Sequence, residues 1–168
     1  MPKISVIFNT IFFSALLFNL MILKLFEKTI IQLEIVGFFY ALGILAFILF
    51  KNKLKKIGPW NSINNFIFCF FVVGSYLTLS VLSTNYYFSE KETENRTYEI
   101  VRKTEIIGTQ YNRHKKKPAV IIEAQKGDTK RIEFPRNMKA KVDAADFVEL
   151  ELSKGLLNFD IIRHTKLK

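Results

Sequence analysis

Arg113-His114-Lys115-Lys116-Lys117 is the densest run of chemically capable side chains in the sequence. Five neighbouring basic or potentially basic groups repel one another when compact, so the segment reads as an extended loop. Its candidate chemistry is contact with an anionic partner: acidic lipid headgroups, acidic envelope polymers or an acidic protein. A solvated hairpin tip is the simpler account of the same residues. Tyr111 is the one aromatic beside the cluster, too little stacking surface to argue for nucleic acid.

Catalysis needs a constellation, and the residues for one are scarce. The chain has two histidines, His114 and His164, and a single cysteine, Cys69. It lacks His-Glu-x-x-His, Gly-x-Ser-x-Gly, a Gly-x-x-x-x-Gly-Lys phosphate loop and any cysteine pair. Asp160, Ile162 and His164 would share one strand face, opposite the expected core, and two polar residues on an open surface make a poor metal or acid–base site. No catalytic residue, metal ligand or cofactor is assigned, and the chain reads as a non-enzyme. Lys24 and Glu34 are the only charges inside apolar stretches. They are a candidate intramembrane pair, because charge near hydrocarbon is costly, although both lie close enough to helix ends to snorkel into water.

The elements that must position these residues fall into two halves. Residues 1–87 hold 13 of the 17 Phe and only two acids, Glu27 and Glu34, whereas charges recur every few residues from Glu90 onward. The boundary divides a transmembrane region, 1–87, from a soluble β-domain, 88–168. Three apolar runs, 4–26, 30–50 and 63–83, each approach the ~20 residues that a ~30 Å hydrocarbon core requires. The first is too long for a signal-peptide core and lacks a small-x-small cleavage site. Glu27-Lys28-Thr29 is a short link, so the first two helices should form an antiparallel hairpin. Cys69 falls in the third run, and a lone thiol there carries no disulfide information.

Orientation rests on Lys51, Lys53, Lys55 and Lys56, four lysines in six positions between the second and third runs. The positive-inside bias assigns them to the cytoplasm. Lys3 joins them there, against Lys24, Lys28, Lys91 and Arg96 on the far side. The N-terminus is therefore expected inside and the C-terminal domain outside. Pro59-Trp60 and Tyr86-Tyr87-Phe88 mark the interfaces, where amphipathic rings settle among headgroups. Ser5, Asn9 and Asn19 fall within ~80° of one another on an ideal helix. Gly37 with Ala41, and Gly74 with Thr78, have the small-xxx-small spacing that lets helices approach closely.

Beyond Phe88 the periodicity becomes two, with β-branched residues and short breaks. Strands are expected over 98–107, 119–124, 129–134, 147–152 and 156–162. Gln125-Lys126-Gly127-Asp128 and Ser153-Lys154-Gly155 read as the hairpin turns, and Pro135 as a stop. Val148, Leu150 and Leu152 should share one face, as should Leu157, Phe159 and Ile161. The fold class is thus a three-helix membrane region plus a small all-β domain, a five-stranded antiparallel sheet or partly open barrel that hides most of its edges.

The segment KVDAADFVELELSKGLLNFDII resembles the close of small β-barrel domains in uncharacterised bacterial membrane proteins that carry transmembrane helices ahead of the domain. In such domains a turn ending in Gly-Asp leads into an alternating strand, then Lys-Gly, then a last strand. Here Ala145-Asp146 takes the Gly-Asp position, Val148 to Leu152 the strand and Lys154-Gly155 the turn, while Asn158 stands where such domains often have glycine. The resemblance covers 22 residues and implies an architecture, without a reaction.

The expected object is a small multi-pass protein of a bacterial inner membrane with an extracytoplasmic β-domain. Its expected role is that of a non-catalytic accessory or interaction subunit whose partners are the lipid bilayer and an envelope protein. A membrane immunity or stress-protection protein is the alternative, and a transporter or channel component using Lys24 and Glu34 a third class. Residue types name neither a specific partner nor an oligomeric state.

Overall fold

The structure, a computed structural model, describes residues 4–57, 60–107, 116–125 and 127–168. Three helices come first: α1 (Ile4–Lys28), α2 (Leu33–Ile57) and α3 (Ser62–Tyr87). Each is long and apolar enough to cross a membrane, and a helix is the element that satisfies its own backbone in hydrocarbon. A five-stranded antiparallel sheet follows, curled into a half-barrel: β1 (Thr93–Ile106), β2 (Lys117–Gln125), β3 (Asp128–Glu133), β4 (Phe147–Lys154) and β5 (Asp160–Leu167). A three-residue 3-10 turn, Arg136–Met138, and a short helix α4 (Lys139–Ala144) lie between β3 and β4. The expected fold class is the observed one.

Helix ends differ from the apolar runs in informative ways. α2 continues to Ile57, so Lys51, Lys53, Lys55 and Lys56 lie on its final turns and not in a loop. Lysine is a good helix former, and cations are favoured where the C-terminal carbonyls converge. Lys53 also sits over the Phe50 ring, 5.9 Å from its centroid. α3 opens on Asn61, whose side-chain oxygen accepts the Asn64 N–H at 2.9 Å, an N-cap that satisfies a donor the helix itself cannot.

The chain divides into two compact units: the helices up to Phe26 together with Ile31–Tyr87, and Glu27–Ile30 together with Phe88–Lys168. In the helical unit, α2 and α3 meet through glycine. A Cβ at Gly43 would stand 2.7 Å from the Cys69 carbonyl oxygen and the Phe70 Cα, and one at Gly74 would collide with the Tyr40 ring. The expected small-xxx-small seam at Gly37 and Ala41 is corrected, since both are exposed and nothing lies within 4 Å of a Cβ at Gly37. α1 meets α3 through rings: Phe8 stacks on Phe68 at 5.0 Å, and Phe18 packs edge-on against Tyr76 at 4.9 Å.

In the β unit the strand order is β3-β2-β1-β4-β5. β1 is 14 residues long and serves two partners. Its first half, Thr93 to Glu99, pairs with β4, and its second, Ile100 to Ile106, pairs with β2. An irregularity between Ile100 and Arg102 separates the halves, and such bulges bend a strand and increase its twist. Val120, Ile122, Ile132, Phe134, Val148, Leu150 and Leu152 form the core, with Val142 of α4 packed among them. A single leucine such as Leu150, fully buried, is worth about 1.5–3 kcal/mol of transfer free energy.

The last hairpin departs from expectation. β4 runs through Lys154, the turn occupies residues 155–159, and β5 begins at Asp160, so Leu157 and Phe159 are turn residues and not strand residues facing a core. Asn158 adopts φ 64, the left-handed conformation in which glycine and asparagine are least strained. That explains its standing at a glycine position. A register irregularity between Glu151 and Leu152 also breaks the alternation along β5. Ile161 is fully buried, and Ile162 packs partly against the core, contrary to the expectation that it lies opposite.

Candidate functional site

The β half-barrel has two edges, β3 and β5, and the short link between the first two helices occupies the seam. Ile30 donates its N–H to the Asp160 carbonyl oxygen at 2.8 Å, and Thr29 forms an antiparallel bridge with Ile161 of β5. From the opposite edge, Lys130 of β3 donates its Nζ to the Thr29 carbonyl oxygen at 2.8 Å. Ile30 meanwhile joins the apolar core of the β unit. The link therefore bonds both edges, through backbone at β5, where it covers part of an otherwise unpaired edge, and through the Lys130 side chain at β3.

Burial at the seam is nearly complete. Thr29 is fully buried, Ile30 is buried, and Lys130 is only 8% exposed. Burial disfavours the ammonium form and brings the Lys130 pKa down to about 8, with the Glu27 carboxylate opposing part of that shift. The Thr29 hydroxyl has no hydrogen-bond partner among the described residues. Asp160 is anchored at its other end, because Arg96 of β1 donates to its carboxylate at 2.9 Å and to Glu94 at 2.9 Å. The Arg96 hydrogen bond holds the Glu94 carboxyl below the usual carboxylate range. Beside the seam lies a cleft of about 180 Å³ lined by Glu27, Lys28, Arg131, Glu133 and Ile162. Its lining mixes both signs of charge, so it does not select an anion or a cation.

The expected site residues are distributed elsewhere. Arg113, His114 and Lys115 lie outside the described residues. Lys116 and Lys117, the end of the same cluster, stand near carboxylates: Lys116 is 3.2 Å from Glu105 and Lys117 4.0 Å from Glu133. Glu105 is also bonded by Lys139, and the two lysines, Lys139 first, hold its carboxyl below the usual range. Lys24 and Glu34 are both exposed, and no ion pair joins them among the described residues. His164 is exposed and pairs in register with Glu151. With Asn95 and Glu149 they line a shallow cleft of about 240 Å³. No group of three metal-ligating side chains occurs among the described residues.

In the helical unit the structure assembles a polar cluster that residue spacing does not show. Asn19 of α1 donates to the Ser75 hydroxyl of α3 at 2.8 Å, and Tyr40 of α2 donates to the Asn19 side-chain oxygen. Each helix contributes one residue. Ser14 and Tyr76 add a second α1–α3 bond at 2.8 Å. Of the three polar residues expected on one face of α1, only Asn19 enters this cluster, and Asn9 is exposed. Interhelical hydrogen bonds of this kind fix which helix faces meet. Comparison of the chain with protein-family models, with curated proteins and with solved structures returned no significant match.

Proposed function

We propose that this chain is a non-catalytic accessory or interaction subunit of a membrane, with the β unit as its contact module on the extracytoplasmic side. One observation carries the reading: the link between the first two spans is built into the β unit as the piece that closes its seam. The unit is thereby tied to the spans at two places in the chain, at residues 27–30 and at Phe88. Three crossings deliver both ties to the same side of a bilayer, which agrees with their membership of one unit. The lysines that close α2 favour the cytoplasm for the opposite side. An envelope protein is the partner proposed for the β unit, and anionic lipids or polymers for the cluster ending in Lys116 and Lys117.

Photo-crosslinking in native membranes tests the role. A crosslinking residue placed singly at Thr129, Glu123 and Arg102, all exposed on the β unit, should yield a discrete adduct with a protein of the same membrane. Absence of any adduct from all three positions would count against an interaction subunit. A thiol at Thr129 in a Cys69→Ser background should react with an impermeant reagent on intact cells whose outer membrane is permeable. Protection until lysis would reverse the orientation. A deletion defect that appears only when a toxin is supplied would favour the immunity alternative.

A further inference from the structure

We propose that the turn between β4 and β5, together with Phe88, is an interfacial anchor that inserts its apolar side chains into the headgroup layer of the bilayer. Leu156 and Leu157 of this turn are 57% and 41% exposed, and Phe88 is 69% exposed. Single exposed leucines are ordinary on protein surfaces, but several large apolar groups gathered at one place are not.

Hydrogen bonds within the β unit gather them. The Glu90 N–H bonds the Lys154 carbonyl oxygen at 2.9 Å, which ties the segment beginning at Phe88 to the start of the turn. The turn itself is fixed by Gly155 N–H to the Phe159 carbonyl oxygen at 3.1 Å and Asn158 N–H to the Gly155 carbonyl oxygen at 2.9 Å. The left-handed Asn158 completes it. Rigid presentation matters, because a floppy loop would lose ordering entropy on insertion.

Chain connectivity supplies the membrane. Phe88 follows Tyr87, the last residue of a candidate span, and successive Cα atoms stand only ~3.8 Å apart. The next residue after the turn, Asp160, accepts the Ile30 N–H from the link that joins the other two spans. Within the β unit the turn is thus bonded at its two ends to the two segments that continue directly from candidate spans. Lys28, Lys91 and Lys154 are exposed on these same segments, interspersed with the exposed Glu27, Glu90 and Glu92. Exposed apolar side chains set among charged ones suit the interfacial layer, where the apolar groups reach toward the acyl chains and the charged groups stay in water.

The test is the full-length protein with Leu156→Cys in a Cys69→Ser background, labelled with bimane and reconstituted in mixed phosphatidylcholine and phosphatidylglycerol vesicles. Bimane at this position should lose emission in vesicles whose acyl chains are brominated near the headgroup, and should resist iodide in the water. The same label at Thr129 serves as the comparison. Adding Leu157→Glu should restore iodide quenching at position 156, while amide exchange of β4 and β5 stays unchanged to show that the fold survives. Ready iodide quenching of the original label would overturn the proposal. So would shielding from both quenchers, because that pattern means the turn is covered by protein.

Discussion

In the helical unit Asn65, Ser75, Thr78 and Asn85 are buried while Phe13, Leu17, Leu20 and Leu49 face outward. In the β unit Val120, Ile122, Val148 and Leu150 are buried while Arg102, Lys103, Glu123 and Arg131 face outward. The same residue types are sorted in opposite directions because the two outer surfaces meet different solvents. Lipid offers an apolar exterior for free, so association of the helices depends on close packing and hydrogen bonds. Water makes apolar burial the driving force in the β unit. Thr29 and Ile30 show that the rule follows environment and not chain position: both sit in the apolar half of the sequence, yet Thr29 is buried in the β unit and Ile30 joins its apolar core.

Truncating leucines on the two sides of this comparison should separate it most widely. Leu150→Ala is expected to cost about 2–5 kcal/mol, because the fully packed site cannot collapse around the void. Leu17→Ala, on the exposed face of α1, should stay within ~0.5 kcal/mol. Amide exchange of strands and helices in the full-length protein reads both. Equal costs would mean that α1 is covered by protein and not by lipid.

The seam tests whether the link belongs energetically to the β unit. Lys130 has a folded pKa of about 8 against an ordinary 10.5, so between these values the unfolded chain holds more protons there. Stability should therefore rise as pH increases from about 8 to 10.5, by on the order of 3 kcal/mol. Below the lower value both states are protonated and the cost of burying the ammonium is paid in full. Other lysines titrate as well, so the quantity to measure is the difference between the parent chain and Lys130→Met. A difference that does not change with pH would mean that Lys130 is hydrated.

Glycine substitutions sharpen the comparison inside the helical unit. Gly43→Leu should destabilise by about 1–3 kcal/mol or more, because the new side chain meets α3 backbone that cannot rotate away. Gly37→Leu, with open space around it, should be neutral or slightly stabilising through helix propensity. Thermal unfolding in detergent distinguishes them, and matching losses would show that the α2–α3 seam lies elsewhere. A smaller loss than that of Gly43→Leu is expected for Tyr40→Phe, about 0.6–2 kcal/mol for one interhelical hydrogen bond. A double-mutant cycle with Asn19→Ala should show the two to be non-additive.

Much of this architecture is legible before any coordinates. Runs such as Ile63 to Ser83 announce spans by length alone, and Val148-Glu149-Leu150-Glu151-Leu152 announces a half-buried strand by alternation. Errors concentrate where a residue answers to a neighbour distant in sequence. Ile30 reads as the first residue of a span because it abuts an apolar run, and only β5 and the β core claim it for the other unit. Gly37 and Gly43 are equal as letters, and only the position of α3 makes one of them indispensable. β5 is misplaced by several residues because Leu156, Leu157 and Phe159 are apolar enough to mimic a strand, while the turn depends on Asn158 in a left-handed conformation.

By itself, then, the sequence determined what each segment prefers: three apolar stretches that must be helices in hydrocarbon, five alternating stretches that must pair, and lysines that bias the crossing. Those preferences are local, set by residue type, period and length. Tertiary structure alone decided which polar side chains meet across α1, α2 and α3 and which glycine carries the close approach. It also decided that four residues between two spans complete the β seam. These are relations between residues far apart in the chain: Thr29 and Lys130 are 101 positions apart, and Thr29 and Ile161 farther still. Their free energy arises only when the intervening chain has folded, which is why no window of sequence contains them.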